Sequence, residues 1–114
     1  MPVAHLTNYG GNVTIASGTA LTDAINAPNG VACIVMPAAW TAANLTFQVS
    51  TDGAAFADLY DATGTEYTVT AAAGRAILLP LADLLGIRFF RIRSGTAATP
   101  VNQAAARSLF VLTA

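Results

Sequence analysis

The chain has 114 residues, 54% hydrophobic and only 10% charged, with a net charge of −1. A chain of this length buries one core and makes one domain, and a near-neutral balance gives no electrostatic footprint for nucleic acid. The charged share is well below the usual figure of about 25%, all five cations are arginine, and Ala, Thr, Ser, Asn and Gly dominate the rest. Such an exterior suits a subunit covered by other subunits; a high-GC genome, which enriches Ala and Arg without functional cause, is the equally weighted alternative. Cys33 cannot form an internal disulfide and reads as a small buried hydrophobe inside Val31–Met36. No apolar run approaches the roughly 18 to 20 residues of a membrane-spanning helix, and no signal peptide is evident, so no membrane partner is expected.

In chain order, residues 1–11 read as an irregular N-terminal arm and 12–114 as a β-sandwich domain. Asn12–Ser17 alternates, with Val13 and Ile15 on one face, and predicts a first strand. Ala20–Asn26 fits a short helical turn or a strand. Ala27-Pro28-Asn29-Gly30 is a loop. Val31–Met36 is a continuous apolar run, predicting a central strand buried on both faces. Leu45–Ser50 alternates strictly and Thr51-Asp52-Gly53 turns the chain, so Leu45–Tyr60 predicts a hairpin, with Leu45, Phe47, Val49, Phe56 and Leu59 facing the core. Glu66–Thr70 and Arg75–Leu79 predict further strands. Leu81–Leu85 predicts one helical turn closed by Gly86 in a left-handed cap. In Ile87–Arg93 the preferred register turns Phe90 and Ile92 inward and Arg91 and Arg93 outward; the opposite phase buries Phe89. Ser108–Leu112 ends a final segment that begins at Gln103. About eight short strands, with a turn signal every 8 to 12 residues or so, predict an all-β antiparallel sandwich of jelly-roll type.

Chemistry-bearing residues are sparse. His5, the single histidine, sits in the arm, which disfavours a general base, and no ligand set for zinc exists. Asp52, Asp58 and Asp61 fall in hairpin loops; as Asx-turn formers they are ordinary, and a calcium site built from them with loop carbonyls is the functional alternative. No phosphate loop, dinucleotide fingerprint or nucleophile elbow is present, so neither an enzyme nor a cofactor is expected. Arg88, Arg91 and Arg93 share one strand, with Arg75 expected nearby, and read equally as a carboxylate-recognising patch or a solvated face. Trp40 between two strands is expected to plug one end of the core; the alternative makes Trp40 or Tyr60 a platform for a sugar ring.

Four motifs go beyond pattern: W-T-A-A-x-L-T-F-Q-x-S-x-D-G from Trp40, L-Y-D-x-x-G-x-E from Leu59, R-x-R-S-G-T from Arg91 and V-N-Q-A-A-A-R from Val101. As a set they resemble small structural proteins of tailed phages and prophages. The resemblance spans more than half of the chain and implies a virion protein, made in the host cytoplasm. Its most plausible form is a head decoration (cement) protein on the capsid surface, whose partners are the major capsid protein and further copies of itself, a trimer being favoured. On that reading His5, Leu6 and Tyr9 in the arm and Arg88, Arg91 and Arg93 are the contact candidates. A tail or baseplate component, or a carbohydrate-binding module for host attachment, is the alternative. V-S-x-D-G-x-x-F from Val49 and R-F-x-R-I-R from Arg88 also resemble discoidin-like and carbohydrate-binding jelly rolls. That likeness implies the sandwich fold without carrying over a sugar site.

Overall fold

A computed structural model describes residues 11–27, 30–84 and 86–113. The described chain forms eight strands: β1 (Gly11–Ile15), β2 (Ile25–Asn26), β3 (Val31–Val35), β4 (Leu45–Ser50), β5 (Ala57–Asp58), β6 (Ala76–Leu78), β7 (Phe89–Ser94) and β8 (Arg107–Thr113). A single four-residue helical turn, α1 (Leu81–Leu84), lies between β6 and β7. The strands make two four-stranded antiparallel sheets, ordered β1-β8-β3-β6 and β2-β7-β4-β5.

The order has a simple origin. β1 pairs with β8, β2 with β7, β3 with β6 and β4 with β5. The chain is therefore one long antiparallel hairpin whose tip is the β4–β5 turn. Rolling that hairpin up adds the β3–β8 and β4–β7 ladders and closes two sheets over one core, which is a jelly roll.

Burial follows the pleat. β4 sends Leu45 and Phe47 inward, and β7 answers with Phe90 and Ile92, the preferred register of that strand. Ile15, Ile34, Leu109 and Val111 come from the facing sheet. Phe47 sits at the centre, its ring 5.9 Å from that of Tyr67 and 6.3 Å from that of Phe90 in tilted arrangements. Such pairs add about 0.5–1.5 kcal/mol each beyond the area they bury. Trp40 is half-buried against this core and donates its indole N–H to the Ala43 carbonyl at 3.0 Å.

Several expectations change in three dimensions. Phe56 does not join the core. β5 pairs Gln48 with Asp58 and Val49 with Ala57, so the parity that turns Leu59 inward turns Phe56 and Asp58 outward. Cys33 points outward from β3 and is only half-buried, because the register shift between Val31 and Cys33 places Val31 and Ile34 inside. For the same reason β3, though interior to its sheet, is fully buried on one face only. Gly86 is not in the left-handed region; α1 closes instead through the Ile87 amide donating to the Leu84 carbonyl. Residues 66–70 form isolated bridges, Tyr60–Glu66 and Leu45–Val69, rather than a full strand.

Gly95 does need its missing side chain. Its φ is +88°, and a Cβ there would lie 2.6 Å from both the Thr99 oxygen and the Val101 nitrogen. Gly64 has a similar φ of +87° in open space. Gly95→Ala is expected to cost more than about 3 kcal/mol, the strain of the left-handed conformation plus a backbone clash, and Gly64→Ala only about 1 kcal/mol. Urea unfolding of the two variants checks the difference; equal losses would show that the clash is relieved by a small loop shift.

Candidate functional site

The sequence motifs meet first in two buried polar nodes. Arg93 lies on the outer face of β7 yet is only 4% exposed. Its Nε donates to Thr46 Oγ1 at 2.9 Å, Nη1 to Asp58 at 2.7 Å and Nη2 to Glu66 at 2.8 Å. Thr46 passes the chain on, donating to the Gly95 carbonyl at 2.6 Å, and Glu66 also accepts the Ala97 amide at 2.9 Å. The guanidinium holds the Asp58 carboxyl below the ordinary carboxylate range, against a smaller opposing effect of burial. Arg93 is thus committed inside the chain.

The second node is Gln103, 0% exposed. Its amide N–H groups donate to the Thr41 carbonyl and to Ser94 Oγ, and its oxygen accepts from the Thr41 amide and Arg107 Nε. This satisfies the side chain's full hydrogen-bonding capacity and pins the loop after Pro37 to the start of the final segment. Arg93, Ser94, Gly95 and Glu66, with Thr41, Gln103 and Arg107, are therefore the pegs of the fold.

The acids of the hairpin loops stay apart. Asp52 accepts the amides of Ala54 and Ala55 and the Ser50 hydroxyl, which lower its pKa to about 2. Asp61 accepts the Thr63 hydroxyl and the amides of Thr65 and Thr63, which hold its carboxyl below the usual range. Asp58 faces Arg93. Among the described residues no three His, Cys, Asp or Glu side chains gather as a metal site, so the calcium arrangement of Asp52, Asp58 and Asp61 is not assembled.

Three surfaces remain. The first is the outer face of β1-β8-β3-β6. Asn12, Thr14, Ser108, Phe110, Leu112, Cys33, Val35, Ala76 and Leu78 project from it, and none is charged. In the ladder Leu78, Cys33 and Leu112 form one row and Ala76, Val35 and Phe110 the next. Leu78 is 82% exposed.

The second is the outer face of the β2-β7-β4-β5 sheet. Arg91 stacks over the Phe56 ring at 4.1 Å, and Arg88 over Phe89 at 5.3 Å with Nε turned to Asn26 Oδ1. Neither has a carboxylate partner among the described residues. Arg91 Nε and Gln48 Oε1 are buried without partners, although the two residues oppose each other in the ladder and offer a donor and an acceptor.

The third is a concavity of about 330 Å³ beyond β5, lined by Leu59, Tyr60, Asp61, Tyr67 and Asp83. Tyr60 is 52% exposed. Tyr67 packs its ring on the core and donates its hydroxyl to Asp83 at 2.9 Å. Burial first, and the Asp83 carboxylate second, push the Tyr67 hydroxyl up to about 12.

Of the residues singled out in the sequence, Arg88 is exposed, Arg91 is half-buried under its own ring contact, and Arg93 is locked. Tyr60 is accessible and Trp40 is held at the core margin. His5, Leu6 and Tyr9 lie outside the described residues. The uncharged sheet face was not singled out beforehand, although the unbroken apolar runs VACIV and LFVL that make it were visible.

Replacing Arg93 with Met leaves Asp58 and Glu66 without their cation. Because Asp58 is 36% and Glu66 17% exposed at the side chain, the loss is expected near the lower end of the range for a broken buried pair, about 3 kcal/mol. Equilibrium urea unfolding at neutral pH measures it, and a loss below about 1 kcal/mol would place the node among ordinary surface pairs. Tyr67 carries a raised folded-state pKa, so its contribution is complete below its ordinary value of 10.0 and is lost as pH rises through about 12. Wild-type melting temperature should accordingly fall more steeply over that window than that of Tyr67→Phe, and parallel curves would contradict the assignment. Set against protein-family models, curated proteins and solved structures, the chain matches none of them.

Proposed function

We propose that this chain is a structural protein of a tailed-phage virion, and within the virion a decoration protein seated on the outside of the capsid. The observation that carries this is the uncharged outer face of the β1-β8-β3-β6 sheet. An antiparallel sheet with one face on a core normally presents polar side chains on the other. Here the outward rows hold Leu78, Cys33 and Leu112, then Ala76, Val35 and Phe110. Contiguous apolar surface of this kind marks contact with another macromolecule, and depletion of charge is what distinguishes the core of an interface from the rest of a surface. The motif resemblance supplies the phage context. The jelly roll itself is used for capsid and lectin domains alike and does not choose between them.

A carbohydrate-binding module draws support from Tyr60, whose half-exposed ring lines a concavity. Trp40 offers little to a sugar ring, because its indole N–H is engaged and the side chain packs on the core. A tail component would use the same apolar face on a different partner.

The test is rebinding of the purified protein to capsids emptied of DNA and lacking it. Wild-type protein is expected to bind and to raise the capsid melting temperature. Leu78→Glu, at a position in solvent, should change the protein's own stability by less than about 0.5 kcal/mol while abolishing binding. A wild-type protein that ignores capsids, or a Leu78→Glu variant that binds as well, would remove the decoration role; binding to purified tails instead would assign the face to the tail.

A further inference from the structure

Among the described residues, a cation and two acids without ionic partners lie towards the β2 and β5 ends of one sheet. Both ion pairs formed by described residues use Arg93, which consumes Asp58 and Glu66. Asp61 and Asp83 are left in the concavity beyond the β5 edge. Each is hydrogen-bonded, Asp61 to its own turn and Asp83 to the Tyr67 hydroxyl, but neither pairs with a cation among the described residues. Arg88 is left at the other flank, beside the β2 edge, where its carbonyl accepts the Ala27 amide and its Nε reaches Asn26. In the order β2-β7-β4-β5, Arg88 beside β2 and Asp61 beyond β5 lie three strand spacings apart, about 14 Å, so these two do not pair within one molecule, and Asp83 forms no ion pair with Arg88.

We infer that the two flanks meet between copies: Arg88 of one subunit enters the cleft formed by Tyr60, Asp61, Tyr67 and Asp83 of the next. The chemistry is matched on both sides. The cleft offers carboxylate oxygens and the half-exposed ring of Tyr60, which suit a planar guanidinium that pairs with acids and stacks on aromatic faces. Among the described residues Arg88 engages only Nε, which leaves its other N–H donors for a partner. Its stack on Phe89 holds the stem, which lowers the entropy lost on pairing. A neutral sugar would leave both carboxylates uncompensated, whereas an arginine offsets charge and covers the ring together. Two different patches on opposite flanks make a head-to-tail contact, and such contacts close into a ring when the rotation per subunit permits. The uncharged sheet face lies on the other sheet and stays available to a different partner. The inference does not depend on the virion reading, since it concerns purified protein alone.

The experiment is sedimentation velocity of the full chain over a concentration series, at low and at high salt, with melting curves to confirm folding of each variant. Wild type is expected to form a discrete oligomer that dissociates as salt rises, because part of the contact is screened. Arg88→Glu should weaken association at least about tenfold, within the range of close interfacial charge pairs. Tyr60→Ser, which removes the ring and leaves both carboxylates, should weaken it as well, and this holds even if a charge variant folds poorly. Arg75→Glu, at the exposed cation beside β6, should leave it unchanged. The double variant Arg88→Glu/Asp83→Lys should recover most of the lost affinity. A wild type that stays monomeric throughout, an oligomer indifferent to Arg88→Glu and Tyr60→Ser, or one broken by Arg75→Glu alone would each overturn the inference. A head-to-tail oligomer that fails to bind capsids would leave it standing and count only against the decoration role.

Discussion

The guanidinium of Arg93 ties together parts of the chain that no single ladder reaches. Through Thr46 it holds β4 and the Gly95 turn; through Asp58 it holds β5; through Glu66 it holds the segment that returns to β6 and the loop after β7. β5 is a two-residue strand at a sheet edge, and two ladder positions alone would not keep it in place. The cation makes that edge part of the sheet. A buried ion cluster is not by itself evidence of added stability, since burial costs each charge its hydration. What it contributes here is register: Thr46, Asp58 and Glu66 meet one planar fork in one arrangement only.

Gln103 plays the same part at the loop end of the sandwich with a neutral group. Its amide bonds both the N–H and the C=O of Thr41, so the loop after Pro37 is fixed as though by a ladder rung. Together the two nodes draw on all four sequence motifs, through Thr41, Thr46, Glu66, Arg93, Ser94, Gly95, Gln103 and Arg107. Those motifs mark how this jelly roll is pinned. Of the proposed contact surfaces, the uncharged sheet face lies outside the motifs, whereas Leu59, Tyr60 and Asp61 of the acidic flank lie within one of them. A buried polar node tolerates few residue types, whereas a contact surface can be built from many.

A subunit with such surfaces is well fitted to an assembly. With a net charge of −1 and few charges overall, copies do not repel one another strongly. Among the described residues one sheet face is free of charge, and the other sheet has Arg88 towards its β2 end and Asp61 and Asp83 beyond its β5 end, none in an ion pair. The two kinds of surface are suited to different tasks. Apolar area supplies affinity without much direction, and paired charges set orientation and partner choice.

The sequence by itself determined the class of fold. Alternation in Leu45–Ser50, the inward set Phe90 and Ile92, the turn at Thr51-Asp52-Gly53 and the spacing of turn residues are local signals, and period-2 patterning is read without knowing any partner strand. The same local reading found Trp40 at the core margin and Asp52 and Asp61 in their turns, whereas Asp58, grouped with them, lies in β5 against Arg93. Tertiary structure alone decided what those signals could not carry. Phe56 lies outside because its parity is set by pairing with Gln48 and Val49 across the turn. Cys33 lies outside because a register shift against β8 follows Val31. Arg93 is buried because acids far from it in the chain arrive at its head, and Gln103 is buried because Thr41 needs both its backbone groups satisfied. Each depends on which atoms a distant segment brings to the same place, and periodicity within one strand contains no record of that.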